Sequence, residues 1–383
     1  MLRRERSSSW IFADGSPWLP ELAAGSGTQR LCAWPKQEMI SRLDMDIKNT
    51  KEKRKEMDKQ HIVVTFNTSP EEKALFREIL GSEASLTFLD EIPPAQRGRV
   101  LEGATILLAW NFPREIGQED YPHLQQVRFI QLLSAGADHM PFAGLPSPTL
   151  VASNPGAYAT PMAEHVLAMT LALAKRLLVE NQKLRHSEFD QFTPNRLLSG
   201  MTAGILGFGG IGRATARLMR AFSMRIAAIN TSGSSPEPTD FLGTLHDLEH
   251  VLRQSDVVVI SLPLTRATRG LIDKEELAWM KSDAILVNVA RGAIIDEQAL
   301  YMHVKNHPTF LVGIDAWWTE PFLHGTFRMD YPFLELPNVL GSPHNSAVVP
   351  QALVDAARQA AENVKHFLRG EKVTGMARRE DYL

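Results

Sequence analysis

Short apolar runs alternate with amphipathic stretches along the chain from residue 61 onward. The runs are rich in β-branched and aliphatic residues, as buried strands are, whereas the stretches between them repeat apolar residues at helical spacing. This alternation is typical of βαβ units, in which helices cover the faces of a parallel sheet. In a first block the pattern predicts a helix at residues 71–80 and strands at residues 61–66, 86–89, 104–109 and 128–132.

A second block begins near Gly200, after a long predicted helix at residues 161–185. Pro161 suits the first turn of that helix, where a missing N–H costs nothing. The last predicted helix, residues 351–368, has no strand after it, and we expect it to pack back on the first block. Within the second block the pattern predicts strands at residues 203–206, 225–229, 256–262, 284–289 and 309–314, and helices at residues 213–222, 245–253, 274–280 and 297–305.

Composition excludes several classes of partner. The chain has 383 residues, 44% of them apolar, which is enough material for two cores. Its formal net charge is −3, with no dense basic stripe outside the N-terminus, so neither nucleic acid nor an anionic membrane is indicated. The single cysteine, Cys32, cannot form an internal disulfide, and no apolar stretch approaches the roughly 20 residues needed to cross a bilayer. We predict a cytoplasmic α/β protein whose partner is a small molecule.

Residues 1–60 differ from the rest of the chain in composition and in the pattern of apolar residues. Serine, glycine, proline and tryptophan are scattered there without period, and a charged run occupies residues 48–59. Arg3, Arg4 and Arg6 resemble the start of a targeting segment, but acidic residues and prolines come soon after them, before an apolar region can develop. We therefore predict a disordered or loosely attached extension.

A glycine-rich turn stands at the start of the second block. Gly207, Gly209 and Gly212 form a G-x-G-x-x-G pattern with Gly210 and Ile211 between them, directly after a predicted strand and before a predicted helix. The glycines permit a tight turn and close approach of the backbone to a pyrophosphate, and the helix N-terminus presents free N–H groups to it. The alternative is a plain structural turn, but the strand and helix on either side favour dinucleotide binding.

The second predicted strand of this block ends without a carboxylate. Dinucleotide-binding folds normally place an acidic residue there to hold the adenosine ribose. Here the strand ends in Asn230, Thr231 and Ser232, which can donate hydrogen bonds and do not repel a 2′-phosphate. No arginine follows to clamp that phosphate, so the cofactor prediction is NAD or NADP, with tolerance of NADP.

Further motifs come in a fixed order. They are Ser-Leu-Pro-Leu-Thr at 261–265 with Thr268 and Gly270, Asn-Val-Ala-Arg-Gly at 288–292, Gly-Ile-Asp at 313–315 through Glu320 and Pro321, Pro-Asn-Val at 337–339 leading to Ser-Pro-His at 342–344, and, upstream, Ser-Ala-Gly-Ala-Asp at 134–138 and Ala-Glu-His at 163–165. Together with the glycine loop, these motifs resemble in order and spacing the D-isomer-specific 2-hydroxyacid dehydrogenases, a family that includes glyoxylate/hydroxypyruvate reductases and 3-phosphoglycerate dehydrogenases.

We predict two Rossmann-like domains for this chain. A dinucleotide-binding domain at residues 160–348 is inserted into a discontinuous, flavodoxin-like substrate domain made of residues 61–159 and 349–383. A cleft between the domains closes over the substrate. The resemblance also implies a homodimer.

Reduction of a 2-oxo acid requires three kinds of side chain. Arg291 is predicted to grip the substrate carboxylate, since a planar guanidinium binds it bidentately. His344 is predicted to supply or remove the proton, and Glu320 to favour the imidazolium and fix the ring. Taken singly, Arg291 is as easily a surface ion-pair partner, His344 a loop residue and Glu320 a solvated turn. All three follow predicted strands at one edge of the same sheet, where open α/β folds bind ligands.

Other roles rest on the resemblance. It implies that Asp315 contacts the nicotinamide amide, with a helix cap or turn as the alternative, and that Ala290 lies against the cofactor. Pro263 and Thr265 would flank the adenine, although Ser261 stands where many relatives carry histidine. The sequence predicts no metal site. The turn of Ser134, Ala135 and Gly136 would offer backbone N–H groups to the substrate carboxylate, with a plain β-turn as the alternative.

These features predict an oxidoreductase that moves a hydride between nicotinamide C4 and C2 of a small 2-oxo or 2-hydroxy acid resembling glyoxylate or hydroxypyruvate. The alternative is a dinucleotide-sensing corepressor or scaffold of the same fold. Formate oxidation is disfavoured because relatives with that activity carry glutamine where Glu320 stands. Trp317 and Trp318 lie between Asp315 and Glu320. We expect them to pack in the core or at a dimer surface, with the hypothesis that one narrows the pocket.

Overall fold

The computed structural model describes residues 60–383, which form two parallel β-sheets covered by helices. The extension predicted at residues 1–60 lies, except for its last residue, outside the described residues. The strands are β1 His61–Val64, β2 Ser85–Phe88, β3 Ile106–Ala109, β4 Phe129–Leu132, β5 Leu150–Ala152, β6 Thr202–Leu206, β7 Arg225–Ile229, β8 Phe241–Gly243, β9 Val257–Ile260, β10 Ile285–Asn288, β11 Leu311–Ile314 and β12 Val339–Gly341. The α-helices are α1 Pro70–Leu80, α2 Pro94–Glu102, α3 Phe112–Glu115, α4 Ala159–Ala174, α5 Leu177–Arg185, α6 Gly210–Ala221, α7 Leu248–Gln254, α8 Lys274–Trp279, α9 Glu297–Asn306, α10 Pro321–His324 and α11 Pro350–Leu368.

Both sheets are doubly wound. The five-stranded sheet has the order β2-β1-β3-β4-β5, and the seven-stranded sheet has the order β12-β11-β10-β9-β6-β7-β8. Every strand pair in them is parallel. The first order is that of flavodoxin-like folds, and the second is the Rossmann order with one further strand. The predicted α/β fold class is therefore confirmed.

Burial on both faces explains why these strands form. The Val-Val-Val-Ile sequence of β9 has no exposed residue, as expected of a central strand covered by helices on each side. Three strands were missed by the sequence prediction: β5, β8 and β12. Each has three residues and lies at or near a sheet edge, so it carries too little periodic signal to be recognised.

The single helix predicted at residues 161–185 is wrong. The chain forms α4 and α5, separated by Arg176 in the left-handed conformation with φ of 54°. Arg176 N–H bonds to Leu173 O at 3.1 Å, which closes the first helix, and its carbonyl accepts from Glu180 N at 3.0 Å to open the second. A left-handed arginine has no proline or glycine to announce it, so apolar periodicity alone continues the helix through the break.

The final helix packs back on the five-stranded sheet, as predicted. Ala357, Ala360, Ala361 and Val364 of α11 are fully buried in a core that also holds residues of β1, β3 and β4. Asn363 of α11 donates to Gln131 Oε1 of β4 at 2.6 Å. The predicted domain bounds themselves stay a prediction. Among residues 60–383, no helix has both the length and the apolar content that crossing a membrane requires.

Candidate active site

The carboxyl ends of strands from both sheets open into one cleft of about 1350 Å³. Residues that follow β3, β4 and β5 line one side, and residues that follow β6, β7, β9, β10, β11 and β12 line the other. Open α/β sheets bind ligands at this edge. The volume exceeds the roughly 300–1000 Å³ of a pocket for a drug-sized molecule, which leaves room for two ligands.

The glycine loop after β6 has the geometry of a phosphate cradle. Gly207 has φ of +100°, and a Cβ there would lie 2.7 Å from the backbone of Ser261. A Cβ on Gly212 would overlap Gly207 O, so this helix start packs directly on the strand end. A Cβ on Gly209 would meet nothing within 4 Å, so its backbone faces open space. These residues fit the pyrophosphate of a dinucleotide.

Helix α6 begins at Gly210, three residues earlier than the predicted start at 213. A Cβ on Gly210 would lie 2.5 Å from the Cα of Gly156, which follows β5 in the other sheet. Ile211 also lines the cleft. The helix therefore starts inside the glycine motif, where the backbone of one sheet's loop lies against that of the other.

The loop after β7 is organised by Asn230. Its Oδ1 accepts from Ser232 N at 3.1 Å and Gly233 N at 2.7 Å, and its Nδ2 donates to Ser234 O at 2.8 Å. Asn230 and Thr231 line the cleft, whereas Ser232 does not. The asparagine side chain is thus engaged with its own loop.

The loop after β9 presents the predicted adenine-side residues to the cleft. Pro263 and Thr265 both line it. Thr268 Oγ1 bonds to Pro263 O at 2.7 Å and accepts from Thr265 N at 2.8 Å, which fixes the loop. Ser261 Oγ donates to Gly207 O at 2.8 Å, so this serine supports the glycine loop.

The predicted proton donor and its carboxylate partner are in direct contact. His344 Nδ1 lies 2.7 Å from Glu320 Oε2. Glu320 is buried, and its other oxygen, Oε1, accepts from Trp317 N at 2.5 Å. The imidazole is about a third exposed and lines the cleft. Its Nε2 is therefore the nitrogen left for a ligand.

The predicted carboxylate-binding arginine is held by an aspartate from the other sheet. Arg291 Nε lies 3.1 Å from Asp138 Oδ2, and Nη1 donates to Ala290 O at 2.8 Å. A Cβ on Gly136 would lie 3.0 Å from Arg291 Nη2, so this nitrogen faces the predicted substrate turn. Burial alone would raise the pKa of Asp138, but the adjacent guanidinium outweighs burial and lowers it.

The turn after β4 is closed by its own serine. Ser134 Oγ donates to Gly136 O at 2.8 Å. Ser134, Ala135, Gly136 and Ala290 all line the cleft with Arg291, Glu320 and His344. The structure thus brings the predicted substrate turn and the three predicted catalytic side chains to one cavity.

Asp315 is placed differently from most of the other predicted residues. Its side chain is fully buried and does not line the cleft. The carboxylate accepts from Ser342 Oγ at 2.6 Å, Asn345 N at 3.2 Å and Ser346 N at 3.3 Å. These are the bonds of a residue that supports a loop, and contact with a nicotinamide stays a prediction.

The two neighbouring tryptophans have different surroundings. Trp317 lines the cleft, and its indole N–H donates to Ser342 O at 2.8 Å. Trp318 lies outside the cleft lining, donates to Ile295 O at 2.7 Å and stacks on Phe333. Trp317 belongs to the buried core and Trp318 packs against it, so the expected core packing holds for both, and only Trp317 is also in a position to shape the pocket.

Sequence reasoning missed several residues of this cleft. Asp138 lay within a recognised motif, but no role was predicted for it. Beside the cleft lining, Asn111 Nδ2 donates to Phe322 O at 2.8 Å and Arg114 bonds to Pro321 O, and both Pro321 and Phe322 line the cleft. The segment after α11 lines the cleft through residues that include Met376 and Tyr382. No local motif signals these contacts, because each joins segments far apart in sequence.

Comparison with known proteins decides the family. Residues 167–346 match the model of the D-isomer specific 2-hydroxyacid dehydrogenase, NAD binding domain. The glyoxylate reductase of Pyrococcus furiosus is 30% identical over 265 residues, which cover 67% of this chain and 77% of that protein. The chain belongs to the D-2-hydroxyacid dehydrogenase family. Within that family it is an NAD(P)-dependent oxidoreductase acting on the CH–OH group of 2-hydroxy acids.

Other D-2-hydroxyacid dehydrogenase relatives match over different lengths. The D-3-phosphoglycerate dehydrogenase of Methanocaldococcus jannaschii is 32% identical over 225 residues, which are 58% of this chain but only 42% of that protein. A solved structure from Pyrobaculum aerophilum, provisionally named a formate dehydrogenase, superposes with a TM-score of 0.71 at 26% identity and covers 85% of this chain and 100% of its own. The resemblance to this family is thereby confirmed. The relatives are named for several different substrates, so their names do not identify one substrate.

Proposed function

We propose that this D-2-hydroxyacid dehydrogenase reduces a small 2-oxo acid of the glyoxylate or hydroxypyruvate type. One observation carries the proposal: the His344–Glu320 pair and Arg291 line the same cleft as the glycine loop. The glyoxylate reductase name of the Pyrococcus furiosus relative supports the substrate class. A bound nicotinamide dinucleotide would supply or accept the hydride at C2 of the acid.

The carboxylate of the substrate is assigned to Arg291 and the turn of Ser134, Ala135 and Gly136. Arg291 Nε is engaged by Asp138, and Nη2 faces Gly136. A carboxylate at Nη2 would therefore lie beside the backbone of this turn. Binding the acid from two sides fixes the direction in which its carbonyl points, which lowers the entropic part of the barrier.

The proton of the reaction is assigned to His344 Nε2. Glu320 accepts from Nδ1, which fixes the tautomer and ring orientation and leaves Nε2 facing the cleft. The imidazole then donates to the carbonyl oxygen during reduction and accepts the hydroxyl proton in the reverse direction. Glu320 is itself oriented by Trp317 N.

We further propose that the cofactor site accepts NADP as well as NAD. The β7 loop carries no carboxylate among residues 230–235, and Asn230 is occupied within its own loop. No negative charge in this segment therefore opposes a 2′-phosphate. Asp315 and Ala290 remain proposed neighbours of the nicotinamide.

A homodimer is proposed from an exposed apolar surface on α5 and the loop after it. Leu184, Phe189, Phe192 and Leu197 are 57%, 78%, 85% and 67% exposed. Apolar side chains gathered in one segment at this exposure mark an interface in soluble proteins. Sedimentation of the protein and of a Phe189→Ser/Phe192→Ser variant tests this: a dimer that persists in the variant contradicts this surface.

Steady-state turnover tests the proposed reaction. The protein should oxidise NADH or NADPH with glyoxylate or hydroxypyruvate, and His344→Ala should lower kcat by about 100-fold or more while leaving dinucleotide affinity unchanged. His366→Ala, on an exposed part of α11, is the matched control and should retain activity. Dinucleotide binding without turnover in the unmodified protein would favour a sensing role and refute the proposal.

A further inference from the structure

The three side chains assigned to the reaction come from three separate loops. Arg291 follows β10, Glu320 lies beyond β11, and His344 follows β12. Loops that share no contact can move independently of one another. A catalytic group displaced by about 1 Å loses much of its effect on the rate. Trp317 touches all three loops.

The backbone of Trp317 fixes two of the loops. Its N–H donates to Glu320 Oε1 at 2.5 Å. A Cβ on Gly292, the residue after Arg291, would overlap the carbonyl carbon of Trp317. The Arg291 loop therefore lies directly on the Trp317 backbone, at a distance that only glycine permits.

The indole of Trp317 fixes the third loop. Its Nε1–H donates to Ser342 O at 2.8 Å. A Cβ on Gly341 would lie 2.9 Å from Cζ2 of the ring, so the ring packs closely on the end of β12. The side chain lines the cleft and is still 93% buried, because this loop covers it.

The held carbonyl lies two residues before His344, whose backbone is left-handed with φ of 51°. This conformation is uncommon for a residue other than glycine and persists where the surroundings hold it. Asp315 binds Asn345 N and Ser346 N after His344, and Trp317 binds Ser342 O before it. The loop is thus fixed on both sides of the imidazole.

We propose that Trp317 is a positioning residue of the reaction: its indole N–H holds the His344 loop in register with Glu320, which its own backbone N–H orients. The inference rests on the proposed role of His344. It goes beyond the hypothesis that Trp317 narrows the pocket, because it assigns a positioning role to one hydrogen bond of the indole.

Trp317→Phe removes the N–H and keeps an aromatic ring at this position, although phenylalanine lacks the Cζ2 atom that packs on Gly341. We expect kcat with glyoxylate to fall by about 10- to 100-fold, as for displaced catalytic groups, with dinucleotide affinity unchanged. KM for glyoxylate should stay within about twofold of the unmodified value, because the Trp317 backbone that packs on the Arg291 loop is unchanged. Purely structural damage would raise this KM as well, because it would also displace Arg291.

Trp318→Phe is the matched control. Trp318 has the same side chain, a similar bond to Ile295 O and no place in the cleft lining. We expect its kcat to stay within about twofold of the unmodified protein, in the range of substitutions outside special sites. Equal effects of the two variants on kcat and on KM would overturn the proposal.

Two further measurements keep the outcome interpretable. Replacing Trp317 by benzothienylalanine keeps the ring volume but removes the N–H, and it serves if Trp317→Phe fails to fold. It should reproduce the loss in kcat, and full activity would refute the inference. His344→Ala is assayed in parallel: if it stays active the proposed function fails, whereas an inactive His344→Ala with a normal Trp317→Phe refutes only the role of Trp317.

Discussion

Arg291 Nε and Asp138 Oδ2 lie 3.1 Å apart, although 153 positions separate them in the sequence. Arg291 follows β10 of the seven-stranded sheet, and Asp138 follows β4 of the five-stranded sheet, so this ion pair joins the two walls of the cleft. The Asp138 side chain is only 6% exposed. Burial opposes its ionisation, yet the guanidinium keeps its pKa below the ordinary value. The carboxylate therefore stays charged at neutral pH and aims the guanidinium at the substrate turn.

Asp138→Asn tests this aiming role. We expect KM for the 2-oxo acid to rise by about tenfold or more, because a neutral amide holds the guanidinium less firmly. Initial rates over a range of glyoxylate concentrations measure it. Asp120→Asn is the control, since Asp120 forms a similar buried ion pair with Arg97 at 2.9 Å outside the cleft lining. A lower KM in Asp138→Asn would show instead that Asp138 competes with the substrate for Arg291.

Asn111 and Phe322 form a second link between loops of the two sheets, beside the cleft lining. Asn111 Nδ2 donates to Phe322 O at 2.8 Å, and α10 begins directly after Glu320. We expect Asn111→Ala to raise KM for the acid by about three- to tenfold, because one hydrogen bond of about 1 kcal/mol no longer favours the closed cleft. Steady-state kinetics measure this, with Asn306→Ala on the exposed end of α9 as control. An unchanged KM would mean that the link contributes nothing to closure.

Substitutions at Gly209 and Gly212 should distinguish an effect on cofactor binding from an effect on stability. Gly209 has φ of −85°, outside the left-handed region that favours glycine, and a Cβ there meets no protein atom within 4 Å. Gly209→Ala should therefore leave Tm unchanged but weaken NADPH by about tenfold or more, since the methyl occupies the space of the pyrophosphate. Gly212→Ala would overlap Gly207 O and should lower Tm instead. Thermal melts with and without NADPH test both, and unchanged NADPH affinity in Gly209→Ala would place the pyrophosphate elsewhere.

The fold and much of the candidate site could be predicted from short segments of the sequence. The glycine loop and the motifs around Arg291, Glu320 and His344 are each a short continuous segment. The parallel strands that precede them bring these segments to one edge of the sheet. The Asp138–Arg291 pair, the Asn111–Phe322 link and the contacts of Trp317 join loops that are distant in sequence, so no spacing rule reveals them. The break at Arg176 was missed for a related reason: tertiary packing, not a proline or glycine, stabilises its left-handed backbone.

The buried side chain of His139 should make the stability of the folded protein depend on pH. Burial lowers its pKa from the ordinary 6.5 to about 4, with Asp138 opposing and Arg291 reinforcing the shift. The folded state therefore keeps this imidazole neutral while the unfolded state takes up a proton below pH 6.5. Stability from this group is complete above that pH and declines as pH falls toward 4, by about 2 kcal/mol at pH 5 relative to pH 7.5.

His139→Gln removes the titrating group, so the difference between the free energies of unfolding at pH 7.5 and pH 5 should shrink by that amount. Urea unfolding at the two pH values measures it. His303 is the matched control, because burial also lowers its pKa to about 4 and it lies outside the cleft lining. His303→Gln should reproduce the change in stability without altering KM for the 2-oxo acid, whereas His139→Gln, beside Asp138, should alter both. An undiminished pH dependence in His139→Gln would show that this imidazole is charged in the folded protein.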